Sequence, residues 1–394
     1  MKPPIHSARK AALAIFFING FVLSSWVPHI PLLKERMNLG EGLLGIALLA
    51  VAAGAVTFMP LSGRWSSRFG SARITMLSAL LFCLALPLPI FAPNFVFVLP
   101  ALFLFGASNG TMDVAMNAQA VAVEKEHGNP IMSSFHGFFS LGGLSGAGLG
   151  GWVLSQGLPP IVHVLSVSIL MFAATLVAVR FLLPKEEQTV SKSSKFVFPA
   201  GPLRALAALA FLVLLAEGAV MDWSSVYMKT TLQTGVGLAA AGYAAFSLMM
   251  AAGRLSGDRL VSTLGAVAIT RVTALIAAAG LAIALLIPHP LFAVIGFGFV
   301  GLGLSNLTPV LFSAAGKTAG VAPGIGISAV ATAGYFGFLA GPPVIGFIAE
   351  FISLPMALGL VAAAILLVSF FARLTDSSAT RQSPSPEAYN HELT

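Results

Sequence analysis

Charge is what this sequence has least of. Asp, Glu, Lys and Arg make up 9% of its 394 residues, where a soluble globular domain carries roughly a quarter. With 57% hydrophobic residues and a mean hydropathy of +0.93, no soluble fold could cover its own apolar surface. Cysteine is also scarce. The single Cys83 lies inside an apolar run, which excludes a disulfide framework and a cysteine metal site. His, Asp and Glu show no pairing at metal-ligand spacing, so no metal is expected. The chain lacks the string GxxxxGK[ST] of a phosphate loop, which leaves an ATP-driven mechanism and a nucleotide cofactor unsupported. No nucleophile and base constellation points to an enzyme. The net charge of +7 sits between hydrophobic runs and not on one amphipathic face, so nucleic acid is not an expected partner.

What the sequence has is long apolar runs. A membrane-spanning helix needs roughly 20 mostly apolar residues. Runs at 11–32, 42–62, 74–92, 96–122, 131–154, 161–183, 205–227, 237–256, 266–287, 291–313, 324–348 and 354–373 predict about twelve spans. The fold class expected is therefore all-α integral membrane. The basic, apolar start at Lys2, Arg9 and Lys10 reads as an uncleaved first helix, because no small-residue cleavage site follows. Residues 184–203 are polar and read as a cytoplasmic linker between an amino-terminal bundle at 1–183 and a carboxyl-terminal bundle at 204–374. Residues 375–394 read as a disordered cytoplasmic tail.

Orientation follows from the basic residues, which are retained on the cytoplasmic side. With the amino terminus inside, 18 of the 21 Lys and Arg fall on inner segments or helix ends, Arg254 among them, and only Lys34, Arg36 and Lys229 fall outside. Both termini are thus expected on the cytoplasmic side.

An internal repeat supports the two-bundle reading. Gly106-Ala-Ser-Asn-Gly-Thr111 in the fourth run matches Gly303-Leu-Ser-Asn-Leu-Thr308 in the tenth at a spacing near 197. Arg64, Ser67, Gly70, Ile74 and Thr75 recur as Arg259, Ser262, Gly265, Ile269 and Thr270 at 195. Six spans per repeat is an even number, so the two bundles run parallel.

Over essentially the whole chain this pattern resembles the major facilitator superfamily. Gly63-Arg-Trp-Ser-Ser-Arg-Phe-Gly70 is similar to that superfamily's signature after the second helix, with Ser67 in place of its acid; Asp258 supplies an acid near the equivalent place in the second half. Asp113-Val-Ala-Met-Asn-Ala-Gln119, Ser134-Phe-His-Gly-Phe-Phe-Ser-Leu-Gly-Gly143 and Glu217-Gly-Ala-Val-Met-Asp-Trp223 resemble its MosC-like bacterial branch, on the fucose-permease side. The resemblance implies alternating access, a cavity lined by helices one, four, seven and ten, and a small polar solute such as a sugar, polyol or inositol-like compound. It implies gating by Arg64, Arg68, Asp258 and Arg259.

Intramembrane polar residues fall mainly on those four helices. An ionisable side chain at the bilayer centre costs about 2.5–3.5 kcal/mol even on insertion scales, so each needs a reason to be there. Asp113 and Glu217 are candidate proton carriers, with His136 a candidate partner for a carboxylate such as Glu124. Asn109, Asp113 and Asn117, four apart, stack along one helical face. Asn19, Asn109, Asn117 and Asn306 offer hydrogen bonds to a solute, with Asp222 and Trp26 as further contacts. The bland readings are interhelical hydrogen bonds for the amides, a satisfied neutral imidazole for His136, and an interfacial belt for Trp26 and Trp223. His29, His163 and His289 are expected at the outer ends, touching headgroups or water.

The function expected is a secondary transporter, coupled to H+ and complete as a monomer. The rival readings are a drug or amphiphile exporter, favoured by 30 Phe and 13 Met, and a non-transporting membrane sensor on the same fold.

Overall fold

The computed structural model describes residues 3–127, 131–184, 203–318, 321 and 323–376; the linker beyond 184 and the tail beyond 376 lie outside them. The described residues are helical almost throughout. In chain order the helices are α1 Ile5–Ser25, α2 Glu41–Phe69, α3 Ser71–Ala85, α4 Phe95–His127, α5 Met132–Ser155 and α6 Pro160–Ala178. The second half follows as α7 Leu203–Val226, α8 Val236–Leu264, α9 Ala266–Leu286, α10 Pro290–Leu304, α11 Pro323–Phe351 and α12 Leu354–Phe370. Among the described residues ten helical stretches are long and apolar enough to cross a membrane; glycine-rich α5 and the 17-residue α12 are not among those ten. The helices run past the predicted runs, α2 and α8 to 29 residues each and α4 to 33, because their last turns carry polar residues that still hydrogen-bond as helix.

The repeat is visible in backbone geometry. α2 ends at Gly70 (φ 91°) and α8 at Gly265 (φ 81°), a conformation that a side chain disfavours. Just before each glycine a serine hydroxyl donates back three residues, Ser67 to Arg64 O and Ser262 to Arg259 O, both at 2.8 Å. The register of α4 and α10 departs from the motif match. A Cβ at Gly106 would lie 1.8 Å from Val51 O, and its packing equivalent is Gly301, 2.1 Å from Phe246 O. Both members of that pair are offset by 195, so the match of 106–111 to 303–308 is two residues out of step with the packing. α10 breaks inside the second copy of that motif, at Ser305 and Asn306, before resuming as Leu307–Gly316.

Within each half the tightest seams are glycine on carbonyl. α5 lies on α1 through Gly142 against Phe17 O and Gly146 against Phe21 O; α11 lies on α7 through Gly337 against Phe211 O and Gly341 against Leu215 O. Small residues allow such approach where lipid offers no hydrophobic drive. The halves meet through α5 with α8 and α2 with α11.

Candidate functional site

The end of the bundle bearing the start of α1 and the end of α12 is here the terminal end, and its opposite the far end. The halves are fastened at the far end. Gly42 N donates to Glu350 Oε2 at 2.9 Å, Ser225 Oγ to Val27 O at 3.2 Å, and Lys229 pairs with Glu35. Gly45 packs on Pro343 and Gly346, and Gly151 on Gly237 and Ala240. A little deeper, Ser24 and Tyr243 share a hydrogen bond of 3.0 Å. Towards the terminal end the α2–α11 seam parts: Tyr335 of α11 is 43% exposed although it lies within electrostatic range of both Asp113 and Glu217. The space between the halves therefore opens to the terminal end.

Polar side chains from both halves line this space. On α4, Asn117 Nδ2 donates to Asp113 O at 2.9 Å and to Asp113 Oδ1 at 3.2 Å, and one turn away Asn109 Oδ1 accepts from Asn19 of α1 at 3.0 Å. The stripe read from the four-residue spacing is thus continuous with α1. From the second half, Glu217 Oε1 of α7 pairs with Arg254 of α8 at 3.2 Å, and the same guanidinium reaches Ser140 of α5 at 3.4 Å. Arg254 is half-buried within α8, inside the predicted run at 237–256 and near its inner end. Among the described residues no cation lies within ion-pairing distance of Asp113.

His136 sits near this cluster, edge-on to Phe16 with ring centroids 5.4 Å apart and within electrostatic range of Arg254. It is not brought to Glu124, whose carboxylate accepts the N–H groups of Ile131 and Met132 at 2.7 and 2.8 Å and so caps α5. Asp222 is buried on α7 within range of Tyr243. Asn306 is taken up by packing: its amide donates to Gly253 O at 3.1 Å and Ser305 Oγ at 3.0 Å. Trp26 is buried, stacked on His29 and tilted on Phe105, while Trp223 donates to Pro342 O at 3.1 Å. Neither lies in an interfacial belt. His29 and His163 are not at headgroups but buried against each other, Nε2 to Nδ1 at 2.9 Å; His289 accepts Leu291 N at the start of α10. Arg64, Arg68 and Arg259 are exposed at the terminal end, and the Asp258 side chain lies outside the described residues.

Sequence reasoning missed Arg254, Tyr243 and Tyr335 at the cavity and Glu35 and Glu350 at the far end. Arg254 lies inside its predicted run and entered only as one of the basic residues near the inner end; its pairing with Glu217 of α7 has no signal in the spacing. The tyrosines carry no polar signal inside an apolar segment.

Two bundles of parallel topology enclosing a polar, one-sided cavity define a membrane transporter of the alternating-access kind. The sequence profile of the Major Facilitator Superfamily matches residues 12–326, and the chain belongs to that family. It is 39% identical over 373 residues to an uncharacterized MFS-type transporter of Yersinia pestis, covering 95% of this chain and 97% of that one. It is 39% identical over 360 residues to the membrane protein MosC of Rhizobium meliloti, covering 90% and 86%. Among solved structures, a mutant of the nucleoside transporter NupG superposes with a TM-score of 0.74 at 14% identity, over 92% of this chain and 98% of that one. The Escherichia coli fucose:proton symporter FucP superposes with a TM-score of 0.62 at 18% identity, over 93% and 98%. At these identities the structural likeness speaks to the fold. The chain is a multi-pass secondary transporter and not an enzyme.

Proposed function

We propose that the chain moves a small polar solute, a sugar, polyol or inositol-like compound, across the bacterial inner membrane in exchange with or alongside protons. The observation that carries this reading is the cluster facing the cavity from both halves: Asp113 with Asn117 on one side, and the Glu217–Arg254 pair reaching Ser140 on the other. Amides, a carboxylate, a guanidinium and a tyrosine hydroxyl suit a solute rich in hydroxyl groups, whereas a promiscuous apolar exporter has no use for them. Asp113 can take up and release a proton without breaking an ion pair. Glu217 is bound to Arg254 in this state, and a solute or proton that releases Arg254 would couple the α7–α8 pair to α5 through Ser140. That FucP is named a fucose:proton symporter is in keeping with this chemistry.

The excess of basic residues at the terminal end supports a cytoplasmic position for it, and with that orientation the state described opens inward. One chain contains the whole pathway, and a monomer suffices. The test is proton flux in proteoliposomes against a panel of sugars, polyols, inositols and inosamine-like solutes, with wild type and Asp113→Asn side by side. Solute-dependent flux lost in the variant supports the reading; flux that survives moves the proton path to Glu217, and no flux with any solute overturns the solute class.

A further inference from the structure

A second cavity faces away from the transport pathway. It is a groove of about 540 Å³ between α2 and α3, floored by α4, at the terminal end of the first half. Phe58, Trp65 and Phe69 form one wall, Ile74, Leu77 and Leu81 the other, and Phe103 and Ala107 the floor. Its three hydroxyls are all spent on their own helices: Ser78 donates to Ile74 O at 2.6 Å, Ser108 to Leu104 O at 2.7 Å and Thr111 to Ala107 O at 2.7 Å. Every hydroxyl proton is spent and, apart from Arg73 and the Trp65 indole, the remaining lining is apolar, so a hydroxyl-rich ligand gains little in the depth of the groove.

The mouth has the opposite character. Arg73 lines it, and Arg68 lies 5.2 Å above the ring of Phe69 on the rim. Both are exposed, and neither has an ion-pair partner among the described residues. From Gly42 to Met112 the chain has three arginines, Arg64, Arg68 and Arg73, and no acid at all. Ser67, between Arg64 and Arg68 in the last turns of α2, carries no charge and spends its hydroxyl on Arg64 O. From Arg73 to Leu81 α3 rises about 12 Å at 1.5 Å per residue. That is close to the depth of one leaflet, about 15 Å of a 30 Å hydrocarbon core.

We infer that this groove holds an acyl chain of one anionic phospholipid from the leaflet at the terminal end, its phosphate bound by Arg73 and Arg68. An apolar slot of leaflet depth takes the chain. Two unpaired guanidiniums at headgroup level take the phosphate through charge-assisted hydrogen bonds.

Trp65 in the wall is the reporter. Trp26 and Trp223 are buried, and Trp152, 62% exposed, is removed by Trp152→Phe. The full chain is reconstituted in phosphatidylcholine vesicles containing a small fraction of phosphatidylglycerol or phosphatidylcholine with brominated chains, which quench indole on contact. The expected result is several-fold stronger quenching by the brominated phosphatidylglycerol at equal mole fraction, saturating as one site. That preference should vanish in Arg68→Gln/Arg73→Gln and persist in Arg73→Lys, with circular dichroism showing that each variant is folded. Equal quenching by the two headgroups would mean ordinary boundary lipid, quenching by neither would mean the groove excludes chains, and a preference surviving loss of both arginines would place the phosphate elsewhere. Each of these overturns the assignment.

Discussion

Glu350, in the last turn of α11, accepts the backbone N–H of Gly42 at 2.9 Å and so caps α2 from the opposite half of the molecule. A carboxylate at a helix start interacts favourably with the unpaired amides and the helix dipole, worth about 1 kcal/mol at an exposed site. That energy exists only while the far end is closed, so it biases the conformational equilibrium and not the folding of either half. Glu350→Gln should shift the population about fivefold towards the state open at the far end, the equivalent of about 1 kcal/mol. Spin labels at Leu158 and Leu286, exposed at the far ends of the two halves, would show it as growth of a longer-distance population on a Cys83→Ser background. Gly40→Ala should act in the same direction, because its Cβ would fall 2.7 and 2.8 Å from the Glu350 carboxylate oxygens.

The Glu217–Arg254 pair is half-buried between α7 and α8. Removing one partner leaves a charge without its counterion in a low-dielectric place, which costs more than losing the pair as a unit. Arg254→Gln and Glu217→Gln should each lower the melting temperature in detergent. The double variant should recover most of that loss, with a coupling energy of about 1–3 kcal/mol in the cycle. Solute-dependent proton flux should fall in all three. A double variant no more stable than the singles would mean the pair is a surface contact of little worth.

The all-helical membrane fold was legible because a bilayer imposes length and hydropathy on every span. The cavity was legible in part for the same reason: a buried polar residue such as Asp113 stands out against lipid. What was not legible depends on where helices end and which way they face. Arg254 falls inside its predicted run near the inner end, and nothing in one dimension shows that it faces Glu217 of α7. Asn306 and Asn109 look alike in their motifs, yet the break in α10 gives Asn306 to Gly253 O while Asn109 joins Asn19. Glu350 lies just beyond its apolar run, and nothing in the sequence reveals that its partner is 308 residues away.

The glycine seams separate packing from propensity. At Gly106 a Cβ would stand 1.8 Å from Val51 O, and backbone cannot give way as a flexible side chain can. Gly106→Ala should therefore destabilise by about 1–3 kcal/mol, the usual range for overpacking, and reduce the folded yield. Gly63 lies in the same α2–α4 neighbourhood with nothing within 4 Å. Gly63→Ala should be neutral or stabilising by up to about 1 kcal/mol, because only helix propensity changes. Thermal unfolding of the two variants side by side checks the contrast, and equal effects would show that the α2–α4 seam is looser than its geometry implies.

Asp113 offers a sharper division, between binding and coupling. Its carboxylate accepts from Asn117 at 3.2 Å and has no cation beside it among the described residues. Asn at this position keeps the size and one acceptor oxygen, so the α4 stripe and its link to Asn19 through Asn109 should survive. What Asn cannot do is gain or lose a proton between the two open states. Asp113→Asn should therefore keep solute affinity within about tenfold and keep solute counterflow, which needs no net proton movement, while proton flux driven by a solute gradient disappears. If counterflow is lost together with proton flux while the protein stays folded, Asp113 is a solute ligand first, and Glu217 becomes the group that must carry the proton. If both persist, the stripe from Asn109 to Asn117 is interhelical structure, and the search for the coupling carboxylate moves to Glu217 and Asp222.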